Sequence, residues 1–301
     1  MNTDASPRLI LVDGSGSVYR AFFALPPLTG PGGVPTNAVL GFATMFLKLL
    51  REESPEAIAV AFDGPGPTAR HQVFADYKAN RPATPEALVR QFPFILQFLS
   101  GLRVPALRVP GEEADDILGS AAAAAAAQGY QVTLVTGDKD LLQLVGERVT
   151  VRDPVKERRT GPAEVLARYG VPPTGIPDLF ALMGDSVDNI PGVPGIGPKT
   201  ARELLERFGT LDALLERSAE IPRAKLREAL GAHADQARLS RRLATIRTDL
   251  PLPWAPADFA RRDPDPAALL QLCRELGLAR LAAQFAQPAL GDGPTLPGGG
   301  G

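Results

Sequence analysis

The chain has 301 residues, 45% of them hydrophobic and 22% charged, enough to bury the core of one large domain or two smaller ones. No apolar run approaches the roughly 20 residues of a membrane span, and the opening MNTDASPRLILVDG has no basic stretch leading into a long apolar one, so the expectation is a cytoplasmic protein without membrane contact. One cysteine, Cys273, excludes an internal disulfide framework and a Cys-ligated zinc site, while the formal charge of −2 conceals 26 arginines and six lysines whose placement matters more than their sum.

From the N-terminus, three short apolar runs end in acids: RLILVD at Asp13, AIAVAFD at Asp63 and VTLVTGDKD at Asp138 and Asp140. Continuous, rich in branched residues and four to six long, each reads as a buried parallel strand, and RVPALRVPG is a shorter fourth. The helical stretches NAVLGFATMFLKLLREE, PEALVRQFPFILQFLSGL and ADDILGSAAAAAAAQG alternate with them, which predicts an α/β fold with a central, mostly parallel sheet. Ligands of such sheets gather beyond the carboxyl ends of the strands, where all of these acids fall.

The stretch PGEEADDILG adds Glu112, Glu113, Asp115 and Asp116 to that edge, just before seven alanines. Acids in a first helical turn each gain about 0.3–1 kcal/mol from the helix dipole. Two carboxylates about 4 Å apart repel by roughly 4 kcal/mol at an effective dielectric of 20. On this stretch alone a metal cluster and an exposed acidic helix start are equally open; acids at four strand ends together predict a carboxylate bowl closed by divalent cations.

Between Asp63 and Glu86 the segment GPGPTARHQVFADYKANRPATPE interleaves Arg70, Lys78 and Arg81 with Phe74 and Tyr77. It reads either as an exposed amphipathic helix or as a cover that pairs phosphates and stacks bases. From about Asp178 short helices take over, and IPGVPGIGPKTARELLERFG places a Gly- and Pro-rich turn between two of them. That is a helix–hairpin–helix, whose Gly192, Gly195, Gly197 and Thr200 backbone amides would face a phosphate beside Lys199, against the plainer reading of an interhelical turn. Asp185 and Asp188, placed i and i+3 on the preceding helix end, are further ligand candidates. Beyond Pro251 lie a Pro-broken linker with Trp254 as a packing anchor, one or two small helices, and a tail, GDGPTLPGGGG, of flexible composition.

Taken in order, LILVDGSGSVYRAFFAL, VAFDG, YKANRPATPE, PGEEADDILG, TGDKDLLQLV, LMGDSVDNIPGVPGIGPKTA and IRTDLPL resemble the 5′-nuclease domain of bacterial DNA polymerase I and its flap-endonuclease relatives, over about residues 8–254. The resemblance implies a PIN-like, Rossmann-like α/β core with a helical arch (residues 1–175, arch about 64–98), a helix–hairpin–helix (H3TH) DNA-binding subdomain (176–254), and a small helical extension with a flexible tail (255–301). No polymerase motif follows, which implies a stand-alone 5′-3′ exonuclease or a separated nuclease portion.

What the resemblance carries is a Mg²⁺-dependent, two-ion nuclease, with Mn²⁺ able to substitute. Asp13, Asp63, Glu113 and Asp115 match the ligands of the first ion and Asp115, Asp138, Asp140 and Asp185 those of the second, with Asp116 and Asp188 nearby. Glu112 matches a variable position and is expected to be solvated. Tyr19, Arg20, Arg70, Tyr77, Lys78 and Arg81 match substrate contacts, Lys78 and Arg81 acting with Asp115 in catalysis, and a K⁺ ion is implied at the hairpin. The implied substrates are 5′ flaps, nicked or gapped duplex and RNA primer–DNA hybrids, handled by a nucleoid-associated monomer, with a DNA polymerase as partner. Competing readings are a PIN-like ribonuclease, which is usually about half this length and lacks the hairpin, and a DNA-structure-binding module without catalysis. Setting the nine site acids aside leaves 25 acids against 32 bases, so the remaining surface is net positive.

Overall fold

The computed structural model describes residues 6–286, so the glycine-rich tail lies outside the described residues. The three apolar runs are strands β1 (Arg8–Asp13), β2 (Ala57–Ala61) and β4 (Gln131–Val135), and the fourth candidate shrinks to β3 (Ala106–Leu107), between Pro105 and Pro110, which have no N–H to give a ladder. Two further strands form an edge hairpin that the apolar pattern did not announce, β5 (Val149–Asp153) and β6 (Arg158–Thr160). The sheet order is β3-β2-β1-β4-β5-β6, parallel except for β6. Val12 in the central strand pairs with Val60 on one side and Val135 on the other, so all three chains leave the sheet at one level.

Helices cover both faces. On one lie α1 (Gly14–Ala24), α2 (Asn37–Glu53), α5 (Phe92–Gly101), α13 (Pro266–Glu275) and α14 (Ala279–Ala286), around a core that includes Phe42, Phe46 and Phe98. On the other lies α6 (Ala114–Ala127), whose alanines permit close approach: a side chain at Gly119 would stand 2.6 Å from the Arg247 carbonyl oxygen. Beyond it α7 (Pro162–Tyr169), α8 (Ile176–Met183), α9 (Pro198–Phe208), α10 (Leu211–Glu216), α11 (Ala224–Ala232) and α12 (Ala234–Ala244) share a core continuous with that face of the sheet. Trp254 packs against that core, half-buried. The extension after residue 255 is no appendage: Asp265 N–H donates to Gly101 O at 2.7 Å, and Leu269, Leu272 and the buried Cys273 complete the α2–α5 core.

Two expected helices come out differently. The stretch PEALVRQFPFILQFLSGL divides into α4 (Glu86–Val89) and α5, broken just before Pro93. At the break the fully buried Gln91 turns inward, and its Oε1 accepts the Ala38 and Val39 N–H groups at 2.7 and 3.2 Å, so it caps α2 from 52 residues away or more. Between Asp63 and α4 only a short helix, α3 (Ala69–Val73), forms; residues 74–85 run in turns and coil. Over residues 64–98 the chain thus forms three helices, α3, α4 and most of α5, with the turn segment 74–85 against the acidic edge, and not one exposed amphipathic helix.

Candidate active site

Each acid reaches the edge by a local device. Asp13 ends β1 and caps α1, its Oδ1 accepting Gly16 N–H at 2.8 Å and its Oδ2 the Thr136 hydroxyl at 2.9 Å. Asp63, two residues past β2, accepts Ala114 N–H at 2.9 Å and so caps α6 across the cleft, while its own N–H donates to Ser15 Oγ at 3.0 Å. Asp138 Oδ1 accepts Asp140 N–H at 2.9 Å in the tight turn after β4. Burial pushes the Asp13 carboxyl up to about 6 and Asp140 up to about 7, with Asp138 adding to both, and holds Asp115 well above the usual carboxylate range, Asp138, Asp13 and Asp63 adding to it. These acids face one another with too few hydrogen bonds, and Asp140 Oδ1 is buried with no hydrogen-bond partner.

The other acids are held by bases. Glu113 is buried among Lys78 Nζ at 2.6 Å, Thr68 Oγ1 at 3.0 Å, the Tyr77 hydroxyl at 3.2 Å and the Arg70 guanidinium at 3.6 Å. Burial would raise its pKa, but Lys78 and Arg70 outweigh burial and hold it below the usual range. Asp188 is bonded by Arg81 at 2.5 Å and lies 3.8 Å from Lys78. Lys78 adopts a left-handed backbone, φ +55°, and its N–H donates to Asp188 O at 2.9 Å, which ties the turn segment to the loop after α8. Asp185 receives Lys139 Nζ at 2.5 Å and Val187 N–H at 3.0 Å.

Four of the expected roles need correction. Both oxygens of Asp116 are taken by Arg70, at 2.5 and 2.8 Å, and Oδ1 also accepts Arg247 N–H at 2.8 Å, so Asp116 is the buried half of an ion pair rather than a free ligand. Arg70 in turn donates to the Leu243 and Thr245 carbonyls at 2.9 and 2.8 Å and pins the cover to the C-terminal half; it does not present itself to a phosphate. Tyr77 is 3% exposed with its hydroxyl on Glu113, leaving no ring face open to a base. Glu112 is not merely solvated: it keeps a 21% exposed side chain but pairs with Arg247 at 3.1 Å. In addition Asp185 and Asp188 stand in the loop after α8 has ended at Met183, closed by an Asp185–Ile190 bridge, and not on the helix.

Tyr19 is 40% exposed on α1 beside the 60% exposed Phe23, ring centroids 4.8 Å apart, and the neighbouring Arg20 keeps a buried, unpartnered Nη1 against Gly137. At the hairpin, Gly192 packs so closely that an added Cβ would lie 2.5 Å from Gly184 N. Gly195 has φ +81°, which favours glycine, and opens to solvent. The first turn of α9 leaves the Lys199 and Thr200 amides without intrahelical acceptors, no side chain caps them, and Lys199 is exposed. Residue-type patterns missed Lys139, although it stands inside TGDKD, and missed Thr68, Thr136, Phe23 and Arg247, whose partners are distant in sequence.

Among the described residues no three carboxylates close on one point as a finished metal site. The donor set nevertheless fits hard divalent cations: it is all-oxygen and mutually repelling, Asp13, Glu113, Asp140 and Asp185 are buried, and Asp140 Oδ1 has no hydrogen-bond partner.

Residues 8–170 match the family of the 5′-3′ exonuclease N-terminal resolvase-like domain, and residues 171–267 that of the 5′-3′ exonuclease C-terminal SAM fold. A 5′-3′ exonuclease of Aquifex aeolicus is 40% identical over 277 residues, covering 91% of this chain and 93% of that protein. DNA polymerase I of Rhizobium leguminosarum is 49% identical over 252 residues, covering 81% of this chain and 25% of the polymerase; for the Bacillus caldotenax polymerase the figures are 44%, 94% and 33%. The chain thus spans a quarter to a third of those polymerases. Among solved structures, bacteriophage T5 5′-exonuclease with bound divalent metal ions (zinc) superposes with a TM-score of 0.68 at 20% identity, covering 92% of this chain and 98% of that one. The catalytic core of Rad2 in complex with DNA substrate superposes with a TM-score of 0.65 at 17% identity, covering 94% and 93%. At these identities the structural likeness speaks for the fold.

Proposed function

The chain belongs to the 5′-3′ exonuclease family, nucleases that hydrolyse phosphodiester bonds, and from that premise we propose that it trims 5′ ends and cuts 5′ flaps of DNA, RNA primers included, with divalent ions held in the acidic cleft. The observation that carries this reading is the set of Asp13, Asp63, Asp115, Asp138 and Asp140 on one sheet edge, three of them pushed up in pKa by burial and by each other. Asp13, Asp63, Glu113 and Asp115 would hold one Mg²⁺ or Mn²⁺, and Asp115, Asp138, Asp140 and Asp185 the other; Asp116 drops out of the set because Arg70 fills it. Such ions, when bound, supply a water of lowered pKa and charge opposite the leaving oxygen. Two proteins of the same fold, T5 5′-exonuclease with bound divalent metal ions and the Rad2 catalytic core with DNA substrate, agree with the reading.

The chain's own bases do the positioning. Lys78 and Arg81 pair with Glu113 and Asp188, carboxylates that an incoming cation would neutralise. Released from them, an ammonium and a guanidinium face the phosphate and hold it against the carboxylate edge. Tyr19 and Arg20, midway along α1, orient the strand next to the cut. The hairpin, with the free amides of α9 and Lys199, grips duplex backbone irrespective of sequence, and a K⁺ ion belongs to the same proposal. Action as a monomer alongside a DNA polymerase at the nucleoid completes it. No helix of the described residues is long and apolar enough to cross a membrane.

The test is cleavage of 5′-labelled flap, nicked duplex and single strand in Mg²⁺ and in Mn²⁺, with Asp115→Asn as control. That variant should lose cleavage while binding a flap in Ca²⁺. Near-wild-type turnover would overturn the two-ion reading, and a wild type that binds flaps without metal-dependent cutting would leave a DNA-structure-binding module.

A further inference from the structure

Lys139 is the one base of the cleft that comes from within the candidate ligand sequence itself, between Asp138 and Asp140. Its ammonium reaches Asp185 at 2.5 Å and stands 3.6 Å from Asp140 Oδ1, the buried oxygen without a hydrogen-bond partner. Its side chain lies over the Phe180 ring, Nζ 5.0 Å from the centroid. The backbone on either side is pinned, Asp138 N–H on Thr136 Oγ1 and Asp140 N–H on Asp138 Oδ1, both at 2.9 Å. Lys78 and Arg81 enter from the turn segment and can leave with it; Lys139 cannot.

Resting on the ligand reading above, we propose that Lys139 is a resident countercharge of the second carboxylate set: its ammonium occupies the space between Asp140 and Asp185 and competes with the divalent ion that these acids would bind. An ion entering there replaces a single positive charge instead of filling an empty anionic pocket, so the net gain is one unit of charge, and the displaced ammonium must find a new partner. The same contact joins the end of β4 to the loop after α8, so it holds the two halves of the cleft together before an ion arrives. A surface ion pair would have little influence on either property; this one is set on a carboxylate 5% exposed at its side chain, where screening is weak.

The competition has a signature that a merely structural lysine lacks, since removing the charge should loosen the metal-free protein and tighten the metal complex. Mn²⁺ would be titrated calorimetrically, without DNA, into the wild type, Lys139→Met, Lys139→Gln, Lys139→Arg and Asp140→Asn. Lys139→Met keeps an apolar stem over Phe180 should the glutamine variant fold poorly. The expected result is that both neutral variants bind one ion on the order of tenfold more tightly, that Lys139→Arg stays near the wild type, and that Asp140→Asn loses or weakens the same ion. In EDTA the neutral variants should melt below the wild type, and Mn²⁺ should raise their melting temperature by more than it raises the wild type's. Unchanged or weaker Mn²⁺ binding in Lys139→Met and Lys139→Gln, with Asp140→Asn still losing an ion, would overturn the countercharge while leaving the ligand reading intact. Unaltered binding in Asp140→Asn would overturn the ligand reading itself.

Discussion

Replacing Arg70 with methionine should damage the fold before any nucleic acid is present. The guanidinium makes four hydrogen bonds, two to Asp116 and one each to the carbonyls of Leu243 and Thr245, and the two side chains are 11% and 2% exposed. Methionine would leave Asp116 as a buried carboxylate with the Arg247 amide as its remaining partner. Breaking a buried ion pair from one side costs about 3–5 kcal/mol. At about 2–4 °C per kcal/mol for a chain of this size, the melting temperature should fall by about 6–20 °C. The assay is thermal and urea unfolding in EDTA, with Asp116→Leu and the double variant as the rest of a cycle. The double variant should recover much of the loss, because an apolar pair replaces an uncompensated charge. A loss below about 1 kcal/mol for Arg70→Met, the size of an exposed pair, or a double variant no better than the single, would refute the pin and return Arg70 to the substrate-facing side.

Asp13 and Asp140 titrate near 6 and 7 in the folded chain against an ordinary 3.8, so the metal-free protein holds protons there that the unfolded chain has released; its stability should fall as pH rises from about 4 to about 7. Asp140→Asn should flatten that slope and raise the melting temperature in EDTA at pH 8, and a slope identical to the wild type's would count against the buried repulsion. Lys199→Ala should weaken every duplex alike and lower the salt slope of binding by about one counterion, read by titration in Ca²⁺ at several salt concentrations; an unchanged slope would make the hairpin an interhelical turn. Lys78→Ala should slow single-turnover cleavage more than it weakens duplex binding, and the opposite order would remove Lys78 from the reacting phosphate.

Short-range pattern was sufficient for the frame. Continuous apolar runs ending in Asp13, Asp63 and Asp138 specify parallel strands buried on both faces, because a strand without alternation has no face to give to water, and their acids then have nowhere to lie but the carboxyl edge. Helix α2 spans the residues its apolar spacing predicts, Asn37–Glu53. The edge hairpin β5–β6 escaped because RRT is short and polar, held instead by Arg152 and Arg159 on Glu53, about a hundred residues away. The break before α5 escaped because Gln91 answers to the orphan amides of α2, a helix end that lies far off in the chain.

The basic residues of the cover separate the two kinds of information most sharply. That Arg70, Tyr77, Lys78 and Arg81 belong near the acids is what the resemblance implies, but which of them faces a phosphate and which a carboxylate it does not say. An arginine binds either anion with the same fork. The choice falls to whatever anion the fold brings within about 3 Å while excluding water, and for these four the partners are Asp116, Glu113 and Asp188, between 35 and 111 residues away. Burial then makes the choice binding: a charge already desolvated beside its partner is costly to withdraw, which is why Arg70 is a pin, Tyr77 a buried donor, and the half-exposed Arg81 still free to leave Asp188 for substrate.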